Sequence, residues 1–137
     1  MKFSFIAPAP SADTPQMVTS AWPPLGILYC AEIMMNEGIE VSVLDQGVLG
    51  YSPKQALNWV TKENPDILGF SVLGSSMKEA IKIAELAKSE NPNITIVFGN
   101  YHPTFNAERI LRKYSCVDVI VRGEGEYTSL ELAQCLE

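Results

Sequence analysis

The sequence is short of positive charge and nearly free of histidine. Its 137 residues carry 10 lysines and arginines against 16 aspartates and glutamates, for a formal net charge of −6. Because a phosphate backbone is bound by a basic face, this balance argues against a nucleic-acid partner. No apolar run is long enough to span a membrane, and the N-terminus reaches Pro8 too soon for a signal peptide. We expect a single domain covering residues 1–137 with no membrane segment.

Cysteine is also scarce. Cys30, Cys116 and Cys135 form an odd, scattered set without the spacing of metal ligands. Such a set is typical of reduced thiols in a cytoplasmic protein. A buried structural thiol is the ordinary role for the two that lie in apolar surroundings.

Glycine is missing where a nucleotide would need it. The first predicted strand ends in Ala-Pro-Ala-Pro at residues 7–10, whereas a dinucleotide fold requires a glycine-rich turn there. The sequence has no P-loop. A phospho-receiver would place an aspartate at the end of the third strand, where this chain has Ser71. A nucleophile elbow fails because Leu73 stands in place of its final glycine.

The chain does contain five short apolar runs that alternate with helical patterns. Strands are predicted at residues 2–7, 40–44 and 67–72, from 94 to Gly99, and from 117 onward. Helices are predicted at residues 25–37, after 52, after 76, around 107–112 and from 128. Right-handed crossovers then require an α/β fold with a doubly wound, five-stranded parallel sheet, Rossmann-like or flavodoxin-like, in the order 2-1-3-4-5.

Local signals mark several helix ends. Ser52 with Gln55, and Ser76 with Glu79, have the spacing of capping boxes. Gly38 is a suitable left-handed cap for the end of the first helix. That helix is apolar on almost every side, so it is either a tightly packed core helix or one whose second face meets a ligand or another domain.

Three strand-end loops are predicted to converge on one ligand, because the carboxyl ends of parallel strands meet at one edge. They lie within residues 67–76, 94–104 and 117–126. Their residues are small or hydroxylated, which suits a large or bulky ligand with amide and hydroxyl edges. The small residues are Ser71, Ser75, Ser76, Gly74, Gly99, Gly123 and Gly125.

Five motifs along the chain resemble those of a known family. They are Pro-Pro-Leu-Gly-Ile-Leu-Tyr at residues 23–29, Asp45, Ser-Val-Leu at 71–73, Gly-Asn-Tyr-His-Pro-Thr at 99–104 and Arg-Gly-Glu-Gly-Glu at 122–126. In this order and spacing, the chain resembles the N-terminal cobalamin-binding domain of cobalamin-dependent radical SAM enzymes. That group includes methyltransferases and magnesium-protoporphyrin monomethyl ester cyclases.

The resemblance implies how cobalamin would be held. The family has a Ser-x-Leu after the third strand, matched by residues 71–73, and Ser71 would hold the dimethylbenzimidazole tail. Its Gly-Gly after the fourth strand is matched by Gly99 and Asn100. Because asparagine has a side chain, less room is left for a ligand to approach the backbone at the second position. The family's Asp-x-His-x-x-Gly loop is replaced by residues 22–26, which contain no histidine. The implied state is base-off cobalamin without a protein histidine as cobalt ligand.

The loops and the resemblance together give a set of expected cofactor contacts. No catalytic residue and no metal ligand is assigned. The expected contacts are Trp22, Pro24, Leu25, Asp45, Ser71, Leu73, Gly74, Ser75, Ser76, Gly99, Asn100, Tyr101, His102, Arg122, Gly123, Glu124, Gly125 and Glu126.

Several of these residues also have an ordinary structural interpretation. His102 is either an axial cobalt ligand or, more commonly for a loop histidine, a hydrogen-bonding group. Trp22 either caps a cobalamin face or plugs its loop. Arg122 can pair with either nearby glutamate, and those glutamates are otherwise solvated loop residues. Asp45 at a strand end commonly bonds a loop amide.

The resemblance implies a cofactor module whose parent enzyme carries out methyl transfer or tetrapyrrole ring formation. The iron–sulfur cluster and S-adenosylmethionine would belong to a following radical SAM barrel, since this sequence has no Cys-x3-Cys-x2-Cys motif. We therefore expect residues 1–137 to be a domain excised from a longer chain. Two alternatives are a docking domain that uses its apolar first helix, and a nucleotide or flavin protein, which the glycine-poor first turn disfavours.

Overall fold

Strands and helices alternate along the chain as the periodicity predicts. The computed structural model describes residues 1–13 and 22–136, so the segment between the first predicted strand and the first predicted helix lies partly outside the described residues. The strands are β1 (Lys2–Ala7), β2 (Glu40–Asp45), β3 (Ile67–Ser71), β4 (Thr95–Gly99) and β5 (Val119–Ile120). The helices are α1 (Leu25–Asn36), α2 (Gln46–Leu49), α3 (Pro53–Glu63), α4 (Met77–Glu90), α5 (Tyr101–Lys113) and α6 (Glu126–Leu136).

The five strands form one parallel sheet in the order β2-β1-β3-β4-β5, which confirms the predicted topology. In register, Phe3 of β1 lies beside Val41 of β2 and Ile67 of β3. The direction of winding reverses between β1 and β3. Folds of this kind bind ligands at that switch point, outside the carboxyl ends of the strands.

Each face of the sheet packs against its own layer of helices. On one face Phe3, Phe5 and Val97 pack with the buried side chains of α1 and α6. The other face carries Ile6 and Phe98, among others, against α3, α4 and the C-terminal half of α5. The predicted strands are therefore apolar on both sides, as a sheet covered by two helical layers requires.

Gly69 lets two aromatic rings lie close to the backbone of β3. A Cβ at this position would lie 2.8 Å from ring atoms of both Phe3 and Phe5. Those two rings stack with their centroids 4.4 Å apart. The missing side chain is therefore part of the packing of the α1–α6 face.

Two of the predicted helix signals are confirmed. Ser52 and Gln55 form a reciprocal capping box at the start of α3, with Pro53 as the first helical residue. Gly38 follows α1 with φ of +82°, the left-handed conformation that a glycine adopts without strain. In both cases the signal lies within a few residues of the helix terminus that it marks.

Other helix predictions are wrong in detail. Ser76 does not cap α4, because its hydroxyl instead bonds both the amide and the carbonyl of Leu73 in a 3₁₀ turn. The helix expected at residues 107–112 begins earlier, at Tyr101, and has a kink at Asn106 (φ −126°), so the prediction captured only its second half. The helix expected from residue 128 begins at Glu126, and α2 was not predicted.

The apolar first helix is only partly covered. Ile27, Cys30, Ala31 and Met34 are buried against the sheet and α6. Leu28 and Met35 remain exposed, together with Leu25 and Tyr29. Among the described residues, no helix combines the length and the apolar character needed to cross a membrane.

Candidate functional site

The ends of β3 and β4 are joined by a hydrogen bond between side chains. Ser71 is the last residue of β3, and Asn100 follows the last residue of β4. The side-chain amide of Asn100 donates to Ser71 Oγ over 2.9 Å. Two of the three loops that were predicted to converge therefore meet at the carboxyl edge of the sheet.

Asn100 adopts a backbone conformation that few residues other than glycine adopt. Its φ is +82° and its ψ is −171°. For a residue with a Cβ, this region costs about 1–3 kcal/mol. The Oδ1 of Asn100 accepts from the amide of Tyr101 over 2.7 Å, which satisfies a free N–H at the start of α5. The chain thus keeps a side chain with two hydrogen bonds at a strained position.

Thr104 joins the loop after β4 to the loop after β5. Its hydroxyl donates to the carbonyl of Asn100 over 2.7 Å and accepts from the amide of Gly123 over 3.0 Å. Its own carbonyl accepts from Nε of Arg122 over 3.2 Å. The third predicted loop is therefore fixed to the second through the first turn of α5.

The loop after β1 is held on two sides. The amide and the hydroxyl of Ser11 both donate to the carbonyl of Ser75, over 2.9 and 3.1 Å. On the other side, the amide of Ala9 donates to Oε1 of Gln46 over 2.8 Å. Lys78 Nζ lies 2.8 Å from Asp13 Oδ2, and this hydrogen-bonded ammonium lowers the pKa of the Asp13 carboxyl to about 2.

These bonds link the strand-end loops in the order of the strands in the sheet. We call this set of residues the loop rim. Its members are Gln46, Ala9, Ser11, Ser75, Ser71, Asn100, Thr104 and Gly123. A site preorganised in this way binds a ligand at a lower entropic cost than mobile loops would.

Four rim residues were not predicted as site residues: Ala9, Ser11, Gln46 and Thr104. Of these, Gln46 makes the most side-chain hydrogen bonds. Its side chain is fully buried. Besides accepting from Ala9, it donates from Nε2 to the carbonyl of Tyr51 over 2.9 Å and to the carboxylate of Glu79 over 2.8 Å. The only signal in the sequence was a long polar residue directly after a strand end, which is common in loops and indicates nothing by itself.

Large apolar side chains are exposed beside the rim, and many of them were predicted site residues. They lie before or in the first turn of α1, in the loop after β3 and in the first turn of α5. Trp22 is 79% exposed, Leu25 58%, Leu73 44% and Tyr101 72%. Pro24 precedes α1 and is half-buried. An exposed apolar edge around a polar rim is typical of a surface that binds a ligand or another domain.

The predicted glycines differ in their surroundings. A Cβ at Gly123 would meet nothing within 4 Å, and one at Gly74 would meet only Nδ1 of His102, at 3.7 Å. These two positions are open. In contrast, Gly99 lies against Val121, and a Cβ at Gly125 would contact Val121, Ser129 and Cys30. At Gly99 and Gly125, the missing side chain therefore leaves space for neighbouring residues of the chain to pack.

Several polar residues predicted for the site have partners within the chain. Asp45 accepts from the amide of Val48 over 3.1 Å and caps α2, as its ordinary interpretation expected. Arg122 bonds Thr104 and, within the described part of the chain, forms no ion pair with Glu124 or Glu126. Glu124 is exposed, and Glu126 begins α6.

His102 lies half-buried in the first turn of α5, next to Gly74. Within residues 1–13 and 22–136, no group of three or more histidine, cysteine or acidic side chains has the arrangement of a metal site. Two surface cavities, of about 460 and 550 Å³, lie on α5 and at the opposite edge of the sheet, away from the rim. The candidate site is therefore an open surface of hydroxyls, amides and apolar groups.

This surface fits a large ligand that has both apolar and amide-bearing edges. Ser71 has one described hydrogen bond, in which it accepts, so its hydroxyl hydrogen remains available to a ligand. Fold and site together define a flavodoxin-like ligand-binding domain with its site at the strand ends. The chain belongs to the family of B12 binding domains, whose model matches residues 17–133.

Curated relatives support this membership. The chain is 34% identical over 136 residues to an uncharacterized methyltransferase of Pyrococcus horikoshii, covering 99% of this chain and 29% of that protein. It is 31% identical over 121 residues to the anaerobic magnesium-protoporphyrin IX monomethyl ester cyclase of Rubrivivax gelatinosus, covering 88% of this chain and 22% of that protein. The chain thus spans less than a third of either relative.

A solved structure shares the fold. The cobalamin-dependent S-adenosylmethionine radical enzyme OxsB, with aqua-cobalamin and S-adenosylmethionine bound, superimposes with a TM-score of 0.81 at 25% identity. The match covers 98% of this chain and 18% of that one. The predicted resemblance to the cobalamin-binding domains of radical SAM enzymes is confirmed.

Proposed function

We propose that this chain binds cobalamin at the loop rim and is the cofactor domain, residues 1–137, of a longer radical SAM enzyme. The observation that carries the proposal is the hydrogen-bonded rim along the carboxyl ends of the strands, which spans the switch point between β1 and β3 and is flanked by exposed apolar side chains. A preformed polar surface with an apolar border suits a corrin ring that carries amide side chains.

Residues of the rim and residues beside it would each contact a different part of cobalamin. Ser71 would donate its hydroxyl hydrogen to the base of the nucleotide tail. Leu73 and Tyr101 would cover apolar parts of the cofactor. The open backbone at Gly74 and Gly123 would approach it closely, because neither position carries a side chain.

Cobalamin would be bound in its base-off form without a protein imidazole below the cobalt. The loop before α1 contains no histidine, and the one histidine of the sequence lies in the first turn of α5. When bound, cobalamin supplies a cobalt centre that can carry a transferable group. We propose methyl transfer or tetrapyrrole ring formation as the reaction of the complete protein, with the iron–sulfur cluster and S-adenosylmethionine held by its radical SAM barrel.

We further propose that the protein works in the cytoplasm. All three cysteines are free, which is typical of a reducing compartment. Among the described residues, the exposed thiol Cys135 has no cysteine partner.

Cofactor uptake tests the proposal directly. The 137-residue chain is mixed with hydroxocobalamin under reducing conditions, desalted and examined by absorbance. We expect corrin absorbance to remain with the protein and to show a base-off spectrum. A colourless protein after desalting would overturn the proposal. A base-on spectrum would show that cobalamin binds, but not in the proposed base-off form.

A matched pair of variants shows whether uptake occurs at the rim. Leu73 is 44% exposed beside the rim, and Leu111 is 43% exposed on α5 away from it. Leu73→Asp should weaken cobalamin binding about tenfold or more, since it puts a charge against an apolar contact. Leu111→Asp should bind like the wild type. Equal effects of the two substitutions would place the cofactor elsewhere.

A docking domain is the second candidate, favoured by the exposed side chains on α1. Leu28 is 40% exposed, Tyr29 55% and Met35 61%. A docking role predicts no cobalamin uptake, together with self-association, or binding of a partner, that Tyr29→Asp abolishes. Corrin absorbance after desalting, and sedimentation of wild type and variant over a range of concentrations, distinguish the two candidates.

A further inference from the structure

The orientation of the Asn100 side-chain amide is fixed by a backbone group. The amide of Tyr101 can only donate, so the atom that it contacts at 2.7 Å must be the oxygen, Oδ1. The nitrogen, Nδ2, must then face Ser71 Oγ, 2.9 Å away. This assignment follows from donor and acceptor chemistry and does not depend on locating hydrogens.

The direction of the Ser71 hydroxyl follows from this arrangement. Nδ2 of Asn100 has no lone pair to accept with, so Ser71 Oγ must be the acceptor of their bond. Ser71 therefore directs its own hydrogen elsewhere. Within the described residues its hydroxyl makes no other hydrogen bond, and the side chain is half-buried at the end of β3. The hydrogen is left for a ligand.

We propose that Asn100 is a positioning residue that holds Ser71 as an outward donor, so that the site selects a ligand group with a free lone pair. The inference rests on the proposed function and refines it. In base-off cobalamin, the displaced benzimidazole presents such a group, an unprotonated ring nitrogen. The strained backbone of Asn100 supports the idea, because a glycine would avoid the strain but could not orient Ser71.

Replacing the amide by a carboxylate reverses the direction of the bond. In Asn100→Asp, one carboxylate oxygen still accepts from Tyr101, and the other faces Ser71. Ser71 must then donate to residue 100 and present only lone pairs to the ligand. The size and shape of the side chain are almost unchanged, but a negative charge is added. Ser71→Ala and Asn100→Gly, which add no charge, control for it.

Two corrinoids separate the contribution of the tail from that of the ring. Hydroxocobalamin carries the benzimidazole nucleotide, and diaquacobinamide lacks it. Dissociation constants for both are measured by absorbance titration with the wild-type chain, Asn100→Asp and Ser71→Ala. The ratio of the two constants reports the tail contact, whatever the corrin ring contributes.

We expect the wild type to prefer hydroxocobalamin and Asn100→Asp to reduce that preference about tenfold, because an acceptor would then face an acceptor. Ser71→Ala should reduce it by a comparable factor. The double variant should lose no more than either single one, since both substitutions remove the same contact. A preference unchanged in Asn100→Asp would overturn the inference.

The glycine variant keeps the test decisive if the carboxylate disturbs folding. Asn100→Gly relaxes the backbone and lets the Ser71 hydroxyl rotate, so about a threefold loss of preference is expected. Retention of the full preference by Asn100→Gly would also overturn the inference. Failure of the proposed function looks different, since the wild type would then bind neither corrinoid.

Discussion

The side-chain amide of Gln46 donates to the carboxylate of Glu79 over 2.8 Å, joining the end of β2 to the first turn of α4. These two residues are 33 positions apart in the sequence. The contact explains why the predicted capping box at α4 does not form. Glu79 is engaged with Gln46, while Ser76 is engaged with Leu73.

Replacing Gln46 by alanine should destabilise the fold. The substitution removes bonds to Ala9, Tyr51 and Glu79 from a fully buried position. Because buried donors and acceptors would lose their partners, we expect a loss of about 2–4 kcal/mol in the free energy of unfolding. Urea denaturation measures it. Gln134→Ala, on the exposed face of α6, is the matched control and should change stability by less than about 0.5 kcal/mol.

Alanine and glycine at position 100 should have clearly different stabilities. Both remove the bonds to Ser71 and Tyr101, but alanine keeps a Cβ at φ +82° and glycine does not. We expect Asn100→Gly to be more stable than Asn100→Ala by about 1–3 kcal/mol in urea denaturation. Equal stability of the two variants would show that the backbone here is not strained.

Substitutions of Thr104 separate the hydroxyl from the shape of the side chain. Thr104→Val keeps the branched shape but loses the bonds to Asn100 and Gly123, whereas Thr104→Ser keeps the hydroxyl. The valine variant should lose about 1–2 kcal/mol of stability. It should also bind hydroxocobalamin several-fold more weakly, while serine stays near the wild type. If valine and serine behave alike, the hydroxyl does not position the loop.

An alanine at position 69 should disturb the core. Its Cβ would lie 2.8 Å from the rings of Phe3 and Phe5, so the stacked pair would have to move. We expect a loss of about 1–3 kcal/mol from this overpacking, measured by urea denaturation. Gly26→Ala is the control, because a Cβ there would meet nothing within 4 Å. That variant should not be destabilised.

The three thiols should differ in reactivity. Burial, together with the charge of Glu126, raises the pKa of Cys30 to about 11, and burial also raises the pKa of Cys116. Iodoacetamide at pH 8 should therefore alkylate the exposed Cys135 and spare the other two until urea is added, as mass spectrometry would show. Cys135→Ser should resist labelling. Rapid alkylation of Cys30 in the folded protein would contradict its burial and its raised pKa.

The same thiols give the fold a dependence on alkaline pH. In the unfolded chain Cys30 ionises near its ordinary pKa of 9, but in the folded chain it stays protonated to about 11. The stability that depends on this proton is complete below pH 9 and declines as the pH rises toward 11. Urea denaturation at pH 8 and pH 10 should show the loss, and Cys30→Ala should reduce the dependence.

The fold could be predicted from the sequence because its signals are local and repeated. Five short apolar runs, the Ser52–Gln55 box and Gly38 each specify an element, or the end of one, from neighbouring residues. The start of α5 was missed because the residues after Gly99 were interpreted as a polar loop. In the structure α5 begins at Tyr101, and Pro103 lies in its first turn, where a missing N–H costs nothing.

The rim could be predicted only in part. The small and hydroxylated loop residues indicated where the strand ends meet, and Ser71 and Asn100 do meet. The roles of Gln46 and Thr104 depend on partners that are distant in sequence or belong to the backbone. A periodicity or a short motif contains no information about such pairings.

Five backbone amides of the strand-end loops donate to loop-rim atoms or to side chains beside them. They are the amides of Ala9, Ser11, Leu73, Tyr101 and Gly123. Such amides exchange with deuterium only when their loop opens. Because neighbouring loops are bonded to one another, opening one exposes the next, so isotope exchange at these positions should proceed at similar rates. A bound ligand that bridges several loops would slow all five together.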